Sequence, residues 1–125
     1  MIESAARPHQ AGTPMRHRTR LQDLACAQLA ASAVAYSFGI APQDVVAPTR
    51  RSREAAFARQ IAMYLMHVSF GLPLARVASA FDRDRSTAAH ACHRIEDERD
   101  NREFDTCLEQ LEACLRTAPR PAIVN

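Results

Sequence analysis

The sequence predicts an all-α fold of five to six helices, with a short helix, a tight turn and a longer helix near its centre, behind a disordered N-terminal tail. Apolar residues recur at three- and four-residue steps in four separate stretches, the spacing that paints one face of a helix. No stretch alternates at a period of two, so no sheet is expected. The breaks between stretches hold Gly39, Pro42, Pro48, Gly71, Pro73 and Asp82-Arg83-Asp84, residues that stop helices or start them.

Residues 1–20 contain two prolines, one glycine and few large apolar side chains, and end in Met15-Arg16-His17-Arg18-Thr19-Arg20. They read as a disordered tail with a basic end. From Leu21 the stripe Leu24, Ala27, Ala31, Val34, Phe38 predicts a first long helix, stopped by Gly39. The segment Ala41 to Pro48, framed by prolines, predicts one short turn of helix. Thr49-Arg50-Arg51-Ser52-Arg53 is a basic run leading into a second long helix, with Ser52 as N-cap and Phe57, Ile61, Tyr64, Leu65 and Val68 facing inward.

After Gly71-Leu72-Pro73 a short helix buries Leu74, Val77, Ala78 and Phe81. Asp84 is placed to cap the next helix, whose inward stripe is Ala88, Ala91, Cys92 and Ile95. A last helix buries Phe104, Leu108, Leu111 and Leu115 and is closed by Pro119. The expected organisation is therefore a tail at 1–20, one helical domain at 21–118 and a disordered end at 119–125.

Composition excludes several classes. The chain has 125 residues and three scattered glycines, and its sixteen basic residues are all arginine. A phosphate-cradling loop needs clustered glycines, and a Walker loop also needs a lysine, so neither is expected. No apolar run approaches the ~18–20 residues that cross a bilayer, and the N-terminus has no apolar signal core, so neither membrane association nor export is expected. Cys26, Cys92, Cys107 and Cys114 stand singly within helical patterns and read as small buried hydrophobes in a reducing compartment. His90 and His93 have the helical spacing of a metal pair but lack a second pair, so no metal or other cofactor is expected. Ser86 and Cys92 have no positioned base, and no enzyme is expected. Charge is segregated: Arg50, Arg51, Arg53 and Arg59 make a basic front, while Glu96 to Glu112 is strongly acidic.

The informative window is Leu74 to Ile95, which reads as a helix-turn-helix. That motif presents the N-terminal end of its second helix to the DNA major groove. Here the end is Asp84-Arg85-Ser86-Thr87, with His90 one turn on. Arg85 suits guanine, Asp84 suits the cytosine amine, and the Thr87 methyl suits thymine. The basic run at Arg50 to Arg53 suits phosphates or a narrow minor groove.

Four groups of residues resemble a known family: Arg50-Arg51-Ser52-Arg53; Ala58-Arg59-Gln60-Ile61-Ala62-Met63-Tyr64-Leu65; Ala80-Phe81 with Arg83-Asp84-Arg85-Ser86-Thr87; and His90-Ala91-Cys92. They are similar, in order and spacing, to the C-terminal DNA-binding domain (domain IV) of the bacterial replication initiator DnaA, a Trp-repressor-like helix-turn-helix. The resemblance spans about residues 21–117. It implies that Arg51 enters the minor groove, that Arg59 and Gln60 hold phosphate, that the backbone at Leu74 and Ala75 meets phosphate, and that Asp84, Arg85, Ser86 and Thr87 read bases.

There are departures from the family pattern. Arg85 stands where the family has His, Ser86 where it has Thr, and His67 where a basic phosphate contact is common. The turn before Arg83 is one residue shorter and lacks the family's glycines.

With no ATPase module in the chain, the resemblance implies a free-standing, monomeric, cytoplasmic and nucleoid-associated regulator. Its partner would be double-stranded DNA carrying origin or promoter boxes, and it would act on replication initiation or transcription by occupying sites in competition with the initiator. The alternative is a module that docks on the initiator or its regulators through its acidic C-terminal helix, with little affinity for DNA.

Overall fold

The computed structural model describes residues 2–47 and 52–119, with side chains from Thr19 onward. Among these, six helices occur and no strand. They are α1 (Ile2–Phe38), α2 (Pro42–Val45), α3 (Arg53–Ser69), α4 (Leu74–Ala80), α5 (Arg85–Glu98) and α6 (Arg102–Thr117).

The all-α expectation holds, and most boundaries fall where the punctuating residues put them. Gly39 takes a φ of 67°, and the Ile40 N–H reaches back to the Ala35 carbonyl at 3.0 Å, the closing bond of a Schellman motif. Ser52 caps α3, its Oγ accepting from the Ala55 N–H at 3.0 Å. Asn101 does the same for α6, accepting from the Phe104 N–H at 2.9 Å.

Helix α3 organises the rest. Ile61 through Met66 are all buried, so this helix is covered on every side, as only a central helix can be. Every other helix packs against it. On one side lies α1, through a seam of small residues (Ala27, Ala30, Ala31, Val34, Ala35) that lets two backbones approach closely. On the others lie α5, through Ala88, Ala91 and Ile95, and α6, through Leu108, Leu111 and Leu115.

Several expectations are corrected. Helix α1 is assigned from Ile2, with side chains described only from Thr19 onward. Arg20, expected in the tail, is tied to α4, donating to the Ser79 carbonyl at 2.9 Å and to its Oγ at 2.6 Å. Leu24 and Phe38 are 38% and 37% exposed, and the buried stripe of α1 is rotated toward its alanines. Side-chain size favoured Leu and Phe, whereas close helix approach selects Ala.

Val68 is 44% exposed, at the edge of a shallow groove it shares with Leu74 and His93. Asp84 occupies the N-cap position of α5, but its carboxylate makes no capping bond. Cys26 is buried, Cys92 and Cys107 are half-buried, and Cys114 is exposed. Residues 120–125, most of the expected C-terminal end, lie outside the described residues.

A polar network welds α3, α5 and α6. Arg99 donates to Glu112 at 2.7 Å, to the Tyr64 hydroxyl at 2.9 Å and to Asp105, and the Tyr64 hydroxyl donates to Glu96 at 3.2 Å. Burial disfavours the Arg99 charge, but its bonds to Asp105, Tyr64 and Glu112 outweigh that and raise its pKa. Burial likewise raises the pKa of Tyr64. A second clamp joins α1 to α4: Arg76 grips Asp23 through two bonds, at 3.0 and 2.7 Å, which raises the Arg76 pKa.

Two predictions follow from this packing. Glu112→Ala leaves the Arg99 guanidinium short of a partner in a largely buried site, and should destabilise the fold by about 2–3 kcal/mol. Thermal unfolding followed by circular dichroism should show the drop, and Arg99→Ala in the Glu112→Ala background should cost less than it does alone. For Cys92, burial and then Glu96 push the thiol from 9.0 to about 11. At pH 8 its thiolate fraction is therefore about 100-fold below that of an ordinary thiol. Mass-resolved iodoacetamide labelling should modify exposed Cys114 well before Cys92.

Candidate nucleic-acid interface

Helices α4 and α5 pack through Val77, Ala78, Ala88 and Ala91, all buried, and the corner between them forms the helix-turn-helix. The corner is tight because Asp82 adopts φ 56°, a left-handed conformation more often taken by glycine. With Asp82 so placed, its N–H bonds to the Ser79 carbonyl at 3.0 Å and the Arg83 N–H to that of Ala78 at 2.8 Å. The α4 end is thus a complete Schellman turn without a glycine, Asp being one of the few residues that tolerates the position.

The corner leaves the first turn of α5 bare. Asp84, Arg85, Ser86, Thr87 and His90 are all exposed, while Ala88 and Ala91, on the opposite side of the same helix, are fully buried. Among the described residues, none of the side chains of Arg85, Ser86, Thr87 and His90 forms a hydrogen bond or ion pair with the protein. Asp84 spends no oxygen on capping. These donors, acceptors and the Thr87 methyl are therefore free for an external ligand. Ala89 beside them is small, which keeps the surface low.

The remaining expected residues are placed less uniformly. Arg50 and Arg51 lie outside the described residues. Arg53 opens α3 and is exposed. Ala75 is exposed and Leu74 half-buried in the first turn of α4, where backbone N–H groups have no partner within the helix. Gln60 is half-buried, and its Oε1 accepts from Arg94 at 3.0 Å.

Arg59 is 7% exposed, and its Nε donates to the Val45 carbonyl at 2.9 Å. Burial, and then the charge of Arg83, lower its pKa. The fold of α2 against α3 that brings the Val45 carbonyl to Arg59 leaves no signal in the local sequence.

Two arginines emerge that sequence reasoning gave no role. Arg94 lies over the Phe57 ring, 4.9 Å from its centre, and holds the Gln60 oxygen. The Gln60 amide nitrogen makes no hydrogen bond to the described residues. Arg83 donates to the Phe81 carbonyl and to the Ala47 carbonyl, each at 3.2 Å. The helical period puts Arg94 four residues past His90, on one side of α5. That signal was present but weak, since an arginine there is usually a solvated one. Nothing local in the sequence pairs Arg83 with Ala47.

An exposed, uncommitted helix tip at the end of a tight corner, with a basic segment entering a neighbouring helix, defines a helix-turn-helix module of the DNA-binding class. The comparisons with known proteins agree. The model of the bacterial DnaA protein helix-turn-helix matches residues 28–95, more than half of the chain. The chain belongs to that family.

Among curated relatives, the chromosomal replication initiator protein DnaA of Lactococcus lactis subsp. cremoris is 41% identical over 69 residues, covering 54% of this chain and 15% of the relative. That of Microcystis aeruginosa is 36% identical over 80 residues, covering 62% and 18%. That of Pseudothermotoga lettingae is 33% identical over 60 residues, covering 48% and 13%. The chain thus matches only a small part of the length of these relatives.

Two solved structures share the fold. The crystal structure of a DNA replication initiation factor superposes with a TM-score of 0.72 at 26% identity, covering 92% of this chain and 36% of that one. Replication initiator DnaA bound to AMPPCP and single-stranded DNA gives 0.68 at 26% identity, covering 80% and 30%.

Exposure without partners predicts that the tip can be altered without cost to the fold. Arg85→Ala, Thr87→Ala and His90→Ala should each change stability by less than about 0.5 kcal/mol, whereas Arg59→Ala, which strips a buried carbonyl of its donor, should destabilise measurably. Chemical denaturation of the four variants side by side separates the two behaviours.

Proposed function

We propose that the protein binds double-stranded DNA sequence-specifically at DnaA-box-like sites, in the cytoplasm and as a monomer. By occupying origin or promoter boxes it competes with the initiator or regulates transcription there. The observation that carries this reading is the bare first turn of α5, whose side chains carry base-reading chemistry and no internal obligations.

Asp84, Arg85, Ser86, Thr87 and His90 enter the major groove. Arg50, Arg51 and Arg53 follow the backbone or enter the adjoining minor groove. Gln60 and the first amides of α4, at Leu74 and Ala75, meet phosphates. Arg59 takes a supporting role from within. Arg85 adds a bidentate donor fork, so this chain favours a guanine at the position it reads, and a good bidentate pair is worth about 1–3 kcal/mol of discrimination.

The rival reading, docking through the acidic C-terminal stretch, is less well supported. Asp105 and Glu112 are committed to Arg99, and Glu96 to Tyr64. The remaining acids, such as Asp97, Glu103 and Glu109, form an exposed acidic side away from the reading tip, which suits repulsion from DNA in wrong orientations.

Fluorescence titration with a DnaA-box duplex and a scrambled duplex at two salt concentrations tests the proposal. Expected is preference for the box, affinity falling with salt by a slope near −0.9 per phosphate neutralised, and losses of about 1–3 kcal/mol for Arg51→Ala and for Thr87→Ala. Equal and negligible binding to both duplexes overturns it.

A further inference from the structure

Arg94 of α5 is an exposed cation held in place by side chains of α3 and α6. Its Nη1 donates to the Gln60 Oε1 at 3.0 Å, and its guanidinium lies over the Phe57 ring, 4.9 Å from the ring centre. Phe57 stands one turn before Gln60 on α3 and is backed by Phe104 of α6, the two ring centroids 5.6 Å apart.

Asp97 and Glu98 follow Arg94 at three and four residues, within helical reach. Yet among the described residues Arg94 forms no ion pair. Arg76 and Arg99, by contrast, are matched with Asp23 and with Asp105 and Glu112. The Arg94 charge is therefore fixed in position but not neutralised, and the Gln60 amide nitrogen beside it has no acceptor among the described residues. A fixed cation with spare donors, next to a spare amide donor, suits a phosphate oxygen.

Thr87, His90 and Arg94 fall on one side of α5, with Arg94 two turns, about 10 Å, past Thr87. The major groove is about 12 Å wide. A helix whose first turn meets base edges there brings a side chain two turns on to the phosphates that border the groove.

We propose that Arg94 and Gln60 clamp a DNA phosphate at the wall of the major groove, and that Phe57, backed by Phe104, is a positioning residue that pre-orders the Arg94 guanidinium for it. This rests on the DNA-binding reading above. An unrestrained arginine loses much rotamer freedom when it binds, whereas here the ring face and the Gln60 oxygen have already removed part of it. The clamp reads no base, so it acts on box and scrambled DNA alike.

A salt series of fluorescence titrations with a DnaA-box duplex and a scrambled duplex tests it, using Arg94→Gln, Phe57→Leu and the double variant. Arg94→Gln should weaken binding of both duplexes by the same factor, roughly tenfold, and lower the salt slope by about 0.9, the loss of one phosphate. Phe57→Leu should weaken both by about threefold with the slope unchanged, and in that background Arg94→Gln should cost less than about fivefold. In the free protein, NMR relaxation of the Arg94 Nε–H should report a rigid side chain that becomes mobile in Phe57→Leu.

An unchanged slope in Arg94→Gln, additive losses in the double variant, or an Arg94 Nε–H equally mobile with and without the ring overturns the proposal. Binding without preference for the box removes the sequence-specific reading and leaves the slope to decide the clamp, whereas no binding of either duplex removes both. Should Phe57→Leu fold poorly, Arg94→Lys, which keeps the charge but not the planar group on the ring, should hold the slope and lose about threefold in affinity. Affinity equal to wild type in Arg94→Lys overturns the positioning role.

Discussion

The burial of one face of α5 is the constraint on which the molecule depends. Ala88, Ala91 and Ile95 are fully enclosed between α3 and α4, and this fixes the rotation of the helix about its axis. At 3.6 residues per turn, that rotation leaves Arg85, Ser86, Thr87 and His90 on the outside. Had a larger side chain stood at Ala88 or Ala91, α5 would be pushed away from its neighbours or turned, and the same tip residues would point elsewhere. Base reading requires placement to a fraction of an ångström, and a close-packed seam of small residues is well suited to give it.

The polar clamps act on the same constraint from further out. Arg99 with Glu112, Asp105 and Tyr64 fixes the C-terminal end of α5 against α3 and α6, and Arg76 with Asp23 fixes α4 against α1. Each is a charge-assisted contact in which removal of one partner strands the other. They also commit several of the acidic residues to internal contacts. Part of that charge is spent on Arg99 at the C-terminal end of α5.

The fold class, the helix order and the exposure of the first turn of α5 were legible because they rest on local rules. Spacing of apolar residues reports which side of a helix is buried, and Gly39, Ser52 and Pro42 report where helices stop and start. What could not be read depends on contacts between distant segments. The α1 stripe was misplaced because Leu24 and Phe38 look more apolar than the alanines that in fact meet α3. Arg59 looked like a surface cation because its partner, the Val45 carbonyl, is a backbone atom and leaves no trace in side-chain pattern. Asp84 looked like a cap because Asp so often is one, yet here the carboxylate is left uncommitted. Arg83 was missed for the same reason as Arg59, and Arg94 because its partners, Gln60 and Phe57, lie on another helix.

The central claim, that the tip of α5 is what meets DNA, is tested most directly by amide chemical-shift mapping of the labelled protein on addition of a duplex containing a DnaA box. The account predicts the largest changes at Asp84 to Thr87 and at His90, with a second group at Arg53 and at the start of α4. Changes concentrated instead on Asp97 to Glu109, with the α5 tip unmoved, would contradict it.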